Sequence, residues 1–289
     1  IGVGLVGSEM CIRDRFRVYQ FHRTIHDSLA GHHDHLVHPY RSSLPNFIVI
    51  GAAKSATTSL AEIFYRHNQI HFSSAKEPKF FGRNYERGWA WYAHFFEKGG
   101  HLPLRGEAST MYSSTSPAFS LTPQLIRYHL GIIKLIYLVR HPMQRIVSHW
   151  RHYKGRHLDC PEFNKLMESK MLRERIVGSS LYHIHLQRYL TVFPREAIHC
   201  MTYEDLIDHP KRTLRAMFQF LDVQPQLRKV LKKGKIPSKN KAGTKGRSFV
   251  EQPSWPSALK EEVLSVIRPD AEQMLKFMGK PLTTWDWDA

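Results

Sequence analysis

PNFIVIGAAKSATTSL, residues Pro45–Leu60, is the stretch that decides the fold. Pro45 introduces Asn46–Gly51, a compact β-branched run of strand length, and predicts a buried strand there. Ala52–Ala56 is a turn of small residues. Thr57 and Thr58 then open a stretch in which Leu60, Ile63 and Phe64 recur at helical spacing, predicting a helix that ends near His67 and Asn68. A strand, a tight loop and a helix N-terminus together make an anion site. The first helical N–H groups have no partner within the helix, the dipole is positive there, and small residues let the backbone come close. Lys54 supplies a full charge, and the hydroxyls of Ser55, Thr57 and Thr58 supply further donors. The loop differs from the nucleoside-triphosphate P-loop, which ends on Gly-Lys-Ser/Thr, because Lys54 comes early and a Thr-Thr pair closes it. An ordinary β–α turn capped by threonine would use the same residue types.

Downstream, Ile132–Val139 predicts a second strong strand, Arg140-His141-Pro142 a turn, and Met143–Lys154 a helix. Thr122 and Pro123 read as the N-cap and first turn of a helix to about His129. Gly88–Phe96 and Ser179–Phe193 read as helical, Ala197–Thr202 as a third strand, Tyr203–Leu221 as a helix broken around Pro210, and Ser257–Met278 as a closing helix. Lys232–Pro256 is a basic loop without periodicity. Strands alternating with helices predict a single α/β domain: a central, mainly parallel sheet, helices on both faces, and a P-loop-like strand–loop–helix unit. We place that domain at residues 45–289 and an N-terminal extension, expected to lack order, at 1–44. Within the extension, VGLVGSEMCIRDR (residues 3–15) reads as translated adapter sequence, so residues 1–15 are set aside. The histidines between His22 and His38 lack acidic or cysteine partners in a ligand spacing, which favours a surface extension over a metal tract.

The 289 residues include 42 Lys and Arg against 25 Asp and Glu, a formal net charge of +17. Such a charge calls for an anionic partner and does not choose among a nucleotide, a nucleic acid, an acidic glycan and a membrane surface. Cys11, Cys160 and Cys200 are too few and too scattered for a disulfide framework or a zinc site, so a cytoplasmic setting is expected. No apolar run reaches the length of a membrane span.

Two segments together bring a family into view. PNFIVIGAAKSATTSL resembles the 5′-phosphosulfate-binding loop of the sulfotransferase superfamily, with Ala56 where glycine is usual. LIYLVRHPMQRIVSHW (Leu135–Trp150) resembles the family's 3′-phosphate-binding strand–loop–helix, whose arginine and serine fall on Arg140 and Ser148. Arginine presents a planar fork of donors suited to phosphate. A third segment, Lys76-Glu77-Pro78-Lys79-Phe80-Phe81, is similar to the K-E-x-x-F-F of heparan-sulfate-type and related carbohydrate sulfotransferases, which carries their proposed base. Glu77 takes that position, between the cations Lys76 and Lys79; read without the family, it is a surface glutamate paired with lysine. Looser matches are Gly106-Glu107-Ala108-Ser109 with Met111-Tyr112 (a wall of the acceptor cleft), Gly178 through Tyr182 to Pro194 (Tyr182 touching nucleotide), and Lys245-Gly246-Arg247 (a loop over the 3′-phosphate).

The resemblance implies an enzyme that transfers a sulfuryl group from 3′-phosphoadenosine 5′-phosphosulfate to a hydroxyl, on a carbohydrate or glycolipid, without a metal. It implies that Glu77 is the base, that Lys54 meets charge on the leaving nucleotide, and that Ser55, Ala56, Thr57 and Thr58 grip the 5′ side. Arg140, Ser148 and Arg247 would grip the 3′-phosphate. Two other readings compete. A nucleotide-dependent phosphoryl transferase lacks support from a Gly-Lys-Ser/Thr or a strand-end Asp for Mg²⁺. A nucleic-acid binder lacks a recognition fold, and the basic residues are spread along the chain; no nucleic acid is expected. Trp89, Trp91, Tyr92 and Phe95 suit either stacking on sugar rings or a core helix.

Overall fold

The computed structural model describes residues 24–157, 159–237 and 250–288. Five strands form one sheet: β1 (Phe47–Gly51), β2 (Ile70–Phe72), β3 (Leu104–Ala108), β4 (Lys134–Val139) and β5 (Ile198–Thr202). Their order is β2-β3-β1-β4-β5, and every pairing is parallel. β1 therefore sits at the centre, with Val49 opposite Ala108 on one side and Ile136 on the other.

Both faces of the sheet are covered, which is why β1 and β4 read as unbroken apolar runs. Phe47 and Val49 of β1, with Ile136 and Leu138 of β4, point into one core layer. That layer is closed by α1 (Thr57–Tyr65) and by the helix Pro210–Phe220, through Leu60, Phe64, Leu214 and Met217. Ile48 and Ile50, with Leu135, Tyr137 and Val139, point the other way. There they meet four helices: α2 (Thr122–Leu130), α3 (Pro142–Lys154), α4 (Tyr182–Leu190) and α5 (Ser257–Phe277).

Three expectations change on inspection of the elements. Thr122 is the first residue of α2 and Leu121 its cap, because the Thr122 hydroxyl donates to the carbonyl of Phe81 instead of to its own helix. The helix expected from Ser179 starts at Tyr182, and the chain before it winds as a π-helix over Arg173–Val177. Residues 24–44 are largely helical and tied to the domain: Ile25, Val37 and Leu44 are buried in the same core layer as Ile48. Ser28, in the same segment, is buried against Tyr85 and His129, its hydroxyl 3.1 Å from His129 Nε2. The aromatic segment proves to be core. Trp89 and Tyr92 are buried, and the Tyr92 ring stacks on Phe80 at 4.2 Å.

Among the described residues no helix is long and apolar enough to cross a membrane, and no group of three or more His, Cys, Asp or Glu side chains is placed to hold a metal.

Candidate active site

In a parallel sheet every strand delivers its following loop to the same edge, and in α/β folds that carboxyl edge is where ligands bind. Here the edge collects the loop after β1 with Lys54–Thr58, the segment after β2 with Glu77, the turn after β3 with Thr110, and the turn after β4 with Arg140.

The β1 loop is pinned to the neighbouring strand by the Ala52 N–H, which donates to Leu138 O at 2.6 Å. Gly51 is required by close approach. A Cβ there would lie 1.9 Å from Ser113 Oγ, on the short helix Thr110–Ser113 that packs against the end of β1. Lys54 and Ala56 both adopt left-handed backbone, with φ of 71° and 67°. Ala56 is the N-cap of α1, and its carbonyl accepts from Ser59 N and Leu60 N at 2.9 and 3.1 Å. Such a φ costs an L-residue about 1–2 kcal/mol, so the loop is held in a shape that glycine would adopt freely. Ser55, between these two, is fully buried, yet its hydroxyl has no hydrogen-bond partner among the described residues. Thr57 is buried; Lys54 and Thr58 are half-buried.

At the end of β4, Arg140 is half-buried with its guanidinium over the ring of Tyr203, 4.6 Å from the centroid. One terminal nitrogen donates to Gln144 Oε1 at 3.1 Å, whereas Nε is buried and has no partner among the described residues. Ser148 is half-buried on α3. Tyr182 is fully buried and its hydroxyl donates to the Arg140 carbonyl at 2.7 Å, so that hydroxyl holds the strand end in place. The next residue is braced from two directions. Glu204 Oε1 accepts from the His141 backbone N–H at 2.9 Å, and Glu204 Oε2 accepts from Trp285 Nε1 at 3.2 Å. His141 Nε2 in turn donates to the carbonyl of Asp286 at 2.7 Å. Lys245, Gly246 and Arg247 lie outside the described residues.

Sequence reading passed over Arg145, which is fully buried without a carboxylate partner on any of its hydrogen bonds. It donates to Ser180 Oγ at 2.7 Å, to the carbonyl of Ile176, to Ala53 O at 3.5 Å, and to His149 Nδ1 at 3.0 Å. Arg145 thus ties α3 to the phosphate-type loop and to the segment before α4. His149 is held neutral: burial, then the charges of Arg145 and Lys54, push it well below its ordinary value. Nδ1 is therefore free to accept.

Glu77 lies in the segment after β2, half-buried, in left-handed backbone with φ of 55°. Thr110 Oγ1 donates to its Oε1 at 3.1 Å, and Lys79 Nζ stands 3.5 Å from its Oε2. Lys76 reaches across to the first loop and donates to Thr58 Oγ1 at 2.9 Å. These bonds bring the Glu77 segment and the phosphate-type loop together. Glu107 is not itself a cleft wall, since it is fully buried. Met111 and Ser114, just after it in the chain, line with Arg83, Lys170, Met171 and Arg175 a cavity of about 430 Å³. Met111 follows Thr110 in the chain, and Arg83 lies in the segment that carries Glu77. The cavity's size lies in the range of small-molecule sites, and its lining includes three cations, Arg83, Lys170 and Arg175, and one acid, Glu174.

Residues 44–245 match the family model described as the sulfotransferase domain. The chain belongs to that family. It is 30% identical over 191 residues to heparan sulfate glucosamine 3-O-sulfotransferase 3A1 of Mus musculus, over 63% of this chain and 46% of the relative. It is 27% identical over 212 residues to the bifunctional heparan sulfate N-deacetylase/N-sulfotransferase of Drosophila melanogaster, over 64% of this chain and 20% of the relative. The chain thus spans about half the length, or less, of these relatives. Its fold is similar to that of a sulfotransferase from Alicyclobacillus acidocaldarius, with a TM-score of 0.64 at 22% identity, covering 85% of this chain and 99% of that one.

Proposed function

We propose that this protein transfers a sulfuryl group from 3′-phosphoadenosine 5′-phosphosulfate to a hydroxyl of a carbohydrate or glycolipid, with Glu77 as the base. The observation that carries the reading is the bridge between the two segments. Lys76 bonded to Thr58, and Thr110 bonded to Glu77, tie the segment that carries this carboxylate to the loop after β1.

The residues fit such a donor by what they leave unpaired. Among the described residues, Ser55 Oγ and Arg140 Nε are both buried polar atoms without partners, one on each of the turns after β1 and β4. A buried polar group left unpaired costs about 1–3 kcal/mol, which a bound anion would recover. Ser55, Thr57, Thr58 and the first N–H groups of α1 would hold the 5′ side, and Arg140 and Ser148 the 3′-phosphate. The bound nucleotide supplies an activated sulfuryl group. Lys54 places a cation where charge gathers as the bridging oxygen leaves, and an interaction that strengthens toward the transition state raises turnover. Glu77, oriented by Thr110, takes the proton of the acceptor hydroxyl. Arg83, Lys170 and Arg175 line the cavity in which the acceptor rests, and the relatives named for heparan sulfate support a glycan there.

The test is a radiolabelled sulfuryl donor offered with glycans, glycolipids and phenols, for the unaltered protein and for Glu77→Gln. The substitution keeps shape and removes basicity, so turnover should fall about a hundred- to ten-thousand-fold. Affinity for adenosine 3′,5′-bisphosphate should hold. Retained turnover, with loss on substitution of a histidine instead, would overturn the assignment of the base.

A further inference from the structure

Glu107 is the penultimate residue of β3 and is fully buried. Three hydroxyls face its carboxylate. Oε1 accepts from Tyr112 at 2.9 Å and from Tyr92 at 3.3 Å, and Oε2 accepts from Ser109 at 2.8 Å. Two of these hydroxyls have a second task. Ser109 Oγ accepts from the Lys79 backbone N–H at 2.9 Å, and Tyr112 OH accepts from the Phe81 N–H at 3.1 Å. Lys79 and Phe81 belong to the segment that carries Glu77, and Lys79, like Glu77, is in left-handed backbone, with φ of 52°. A turn with two such L-residues persists only where its surroundings over-determine it. The two amide bonds provide that constraint. A hydroxyl whose proton is committed to a carboxylate presents its lone pairs to an N–H in a fixed direction, and a charged acceptor makes that commitment strong.

We propose that Glu107 is a positioning residue for the base: its carboxylate orients the Ser109 and Tyr112 hydroxyls so that they hold the Lys79 and Phe81 amides, and with them the turn that presents Glu77. The inference rests on Glu77 being the base.

The arrangement responds to pH. Burial raises the Glu107 carboxyl to about 7 against the opposing pull of its hydroxyl bonds, and the nearby Glu77 adds to the rise. Of the other groups that bear on it, Tyr92, Tyr112 and Tyr189 are all raised by burial, so they keep their protons across this range. Once protonated, Glu107 carries an O–H that must itself donate. One of the hydroxyls then loses its acceptor, and its amide bond loses direction.

The experiment measures turnover from pH 6 to 8, affinity for adenosine 3′,5′-bisphosphate and thermal stability for Glu107→Gln, Ser109→Ala, Tyr112→Phe and Tyr92→Phe, beside Glu77→Gln. In Glu107→Gln the side-chain amide that replaces the carboxylate cannot accept at its nitrogen, so at least one hydroxyl is left facing a donor. Glu107→Gln should lower kcat roughly tenfold to a hundredfold, the scale of a small misplacement of a reacting group. Bisphosphate affinity should stay within about twofold, and the change of kcat near pH 7 should vanish. If Glu107→Gln does not fold, the single arms decide. Ser109→Ala and Tyr112→Phe should each cost more turnover than Tyr92→Phe, which removes a hydroxyl that holds no amide of the segment. Equal losses in all three would overturn the relay, as would a Glu107→Gln protein with an unaltered pH profile, whether its turnover is kept or lost. Retained turnover in Glu77→Gln refutes the base itself. Lost turnover there, with Glu107→Gln and both arms unaffected, refutes the relay alone.

Discussion

Ala56→Gly should stabilise the protein, although a glycine in place of alanine usually does the reverse. At φ of 67° and ψ of 22° Ala56 is in the left-handed region, where an L-residue loses about 1–2 kcal/mol. Glycine removes that strain, but its extra freedom in the unfolded chain takes back about 0.5–1 kcal/mol. The half-buried methyl forfeits a further few tenths. The balance is about 0.5 kcal/mol in favour of glycine, or a Tm higher by about 1–2 °C in a domain of this size. Ala61 is the control: it is buried inside the same helix, with ordinary helical backbone. Ala61→Gly loses about 1 kcal/mol of helix preference and about 0.8 kcal/mol of methyl burial, so its Tm should fall by several degrees. Calorimetric scans of the two variants and the parent, without nucleotide at one pH, make the comparison. If Ala56→Gly falls as far as Ala61→Gly, the loop is not strained at position 56.

Arg140→Ala should cost about 2 kcal/mol of the preference for adenosine 3′,5′-bisphosphate over AMP, read by titration calorimetry; equal affinity of the unaltered protein for both would remove the 3′-phosphate site. Lys54→Ala should depress kcat more than it weakens bisphosphate binding, and a raised KM with unchanged kcat would make Lys54 a binding residue only. His129, His185 and His199 are each pushed down by burial to about 4. Each therefore contributes stability that is present above its ordinary value of 6.5 and is lost as pH falls toward 4. At up to roughly 3 kcal/mol apiece, this predicts acid unfolding between pH 6 and 4, which circular dichroism would follow. Stability unchanged down to pH 4 would count against it.

The centre of the fold was open to sequence reading because its physics is local. β1 and β4 are buried on both faces, so they spell continuous apolar runs, and each is followed by a turn and a helix start that no other element imitates. β2 and β3 were not predicted. Ile70–Phe72 is three residues long, too short to show a period. Leu104–Ala108 reads Leu-Arg-Gly-Glu-Ala, with a buried acid where a strand facing the core should be apolar. Its Gly106 is set by the ring of Phe47, against which a Cβ would lie 2.0 Å away. The site divides in the same way. Lys54, Ser55, Glu77 and Arg140 were marked by their own short motifs. Their assembly depends on partners far along the chain, Lys76 with Thr58 and Thr110 with Glu77, and on the burial of Arg145 and Glu107, which no spacing reveals.

The brace on His141 has a bearing on synthesis. The bond from His141 to Asp286 joins residues 145 positions apart, and Trp285 reaches Glu204 across 81. At about 5–20 residues per second, the ribosome makes the Arg140 turn many seconds before the residues that lock it. Once Thr202 is made the nascent chain holds all five strands and the loop after β1, while the Arg140 turn still waits for Trp285 and Asp286. Chaperones would therefore meet this chain with its central sheet formed and the carboxyl edge of that sheet still open at the Arg140 turn.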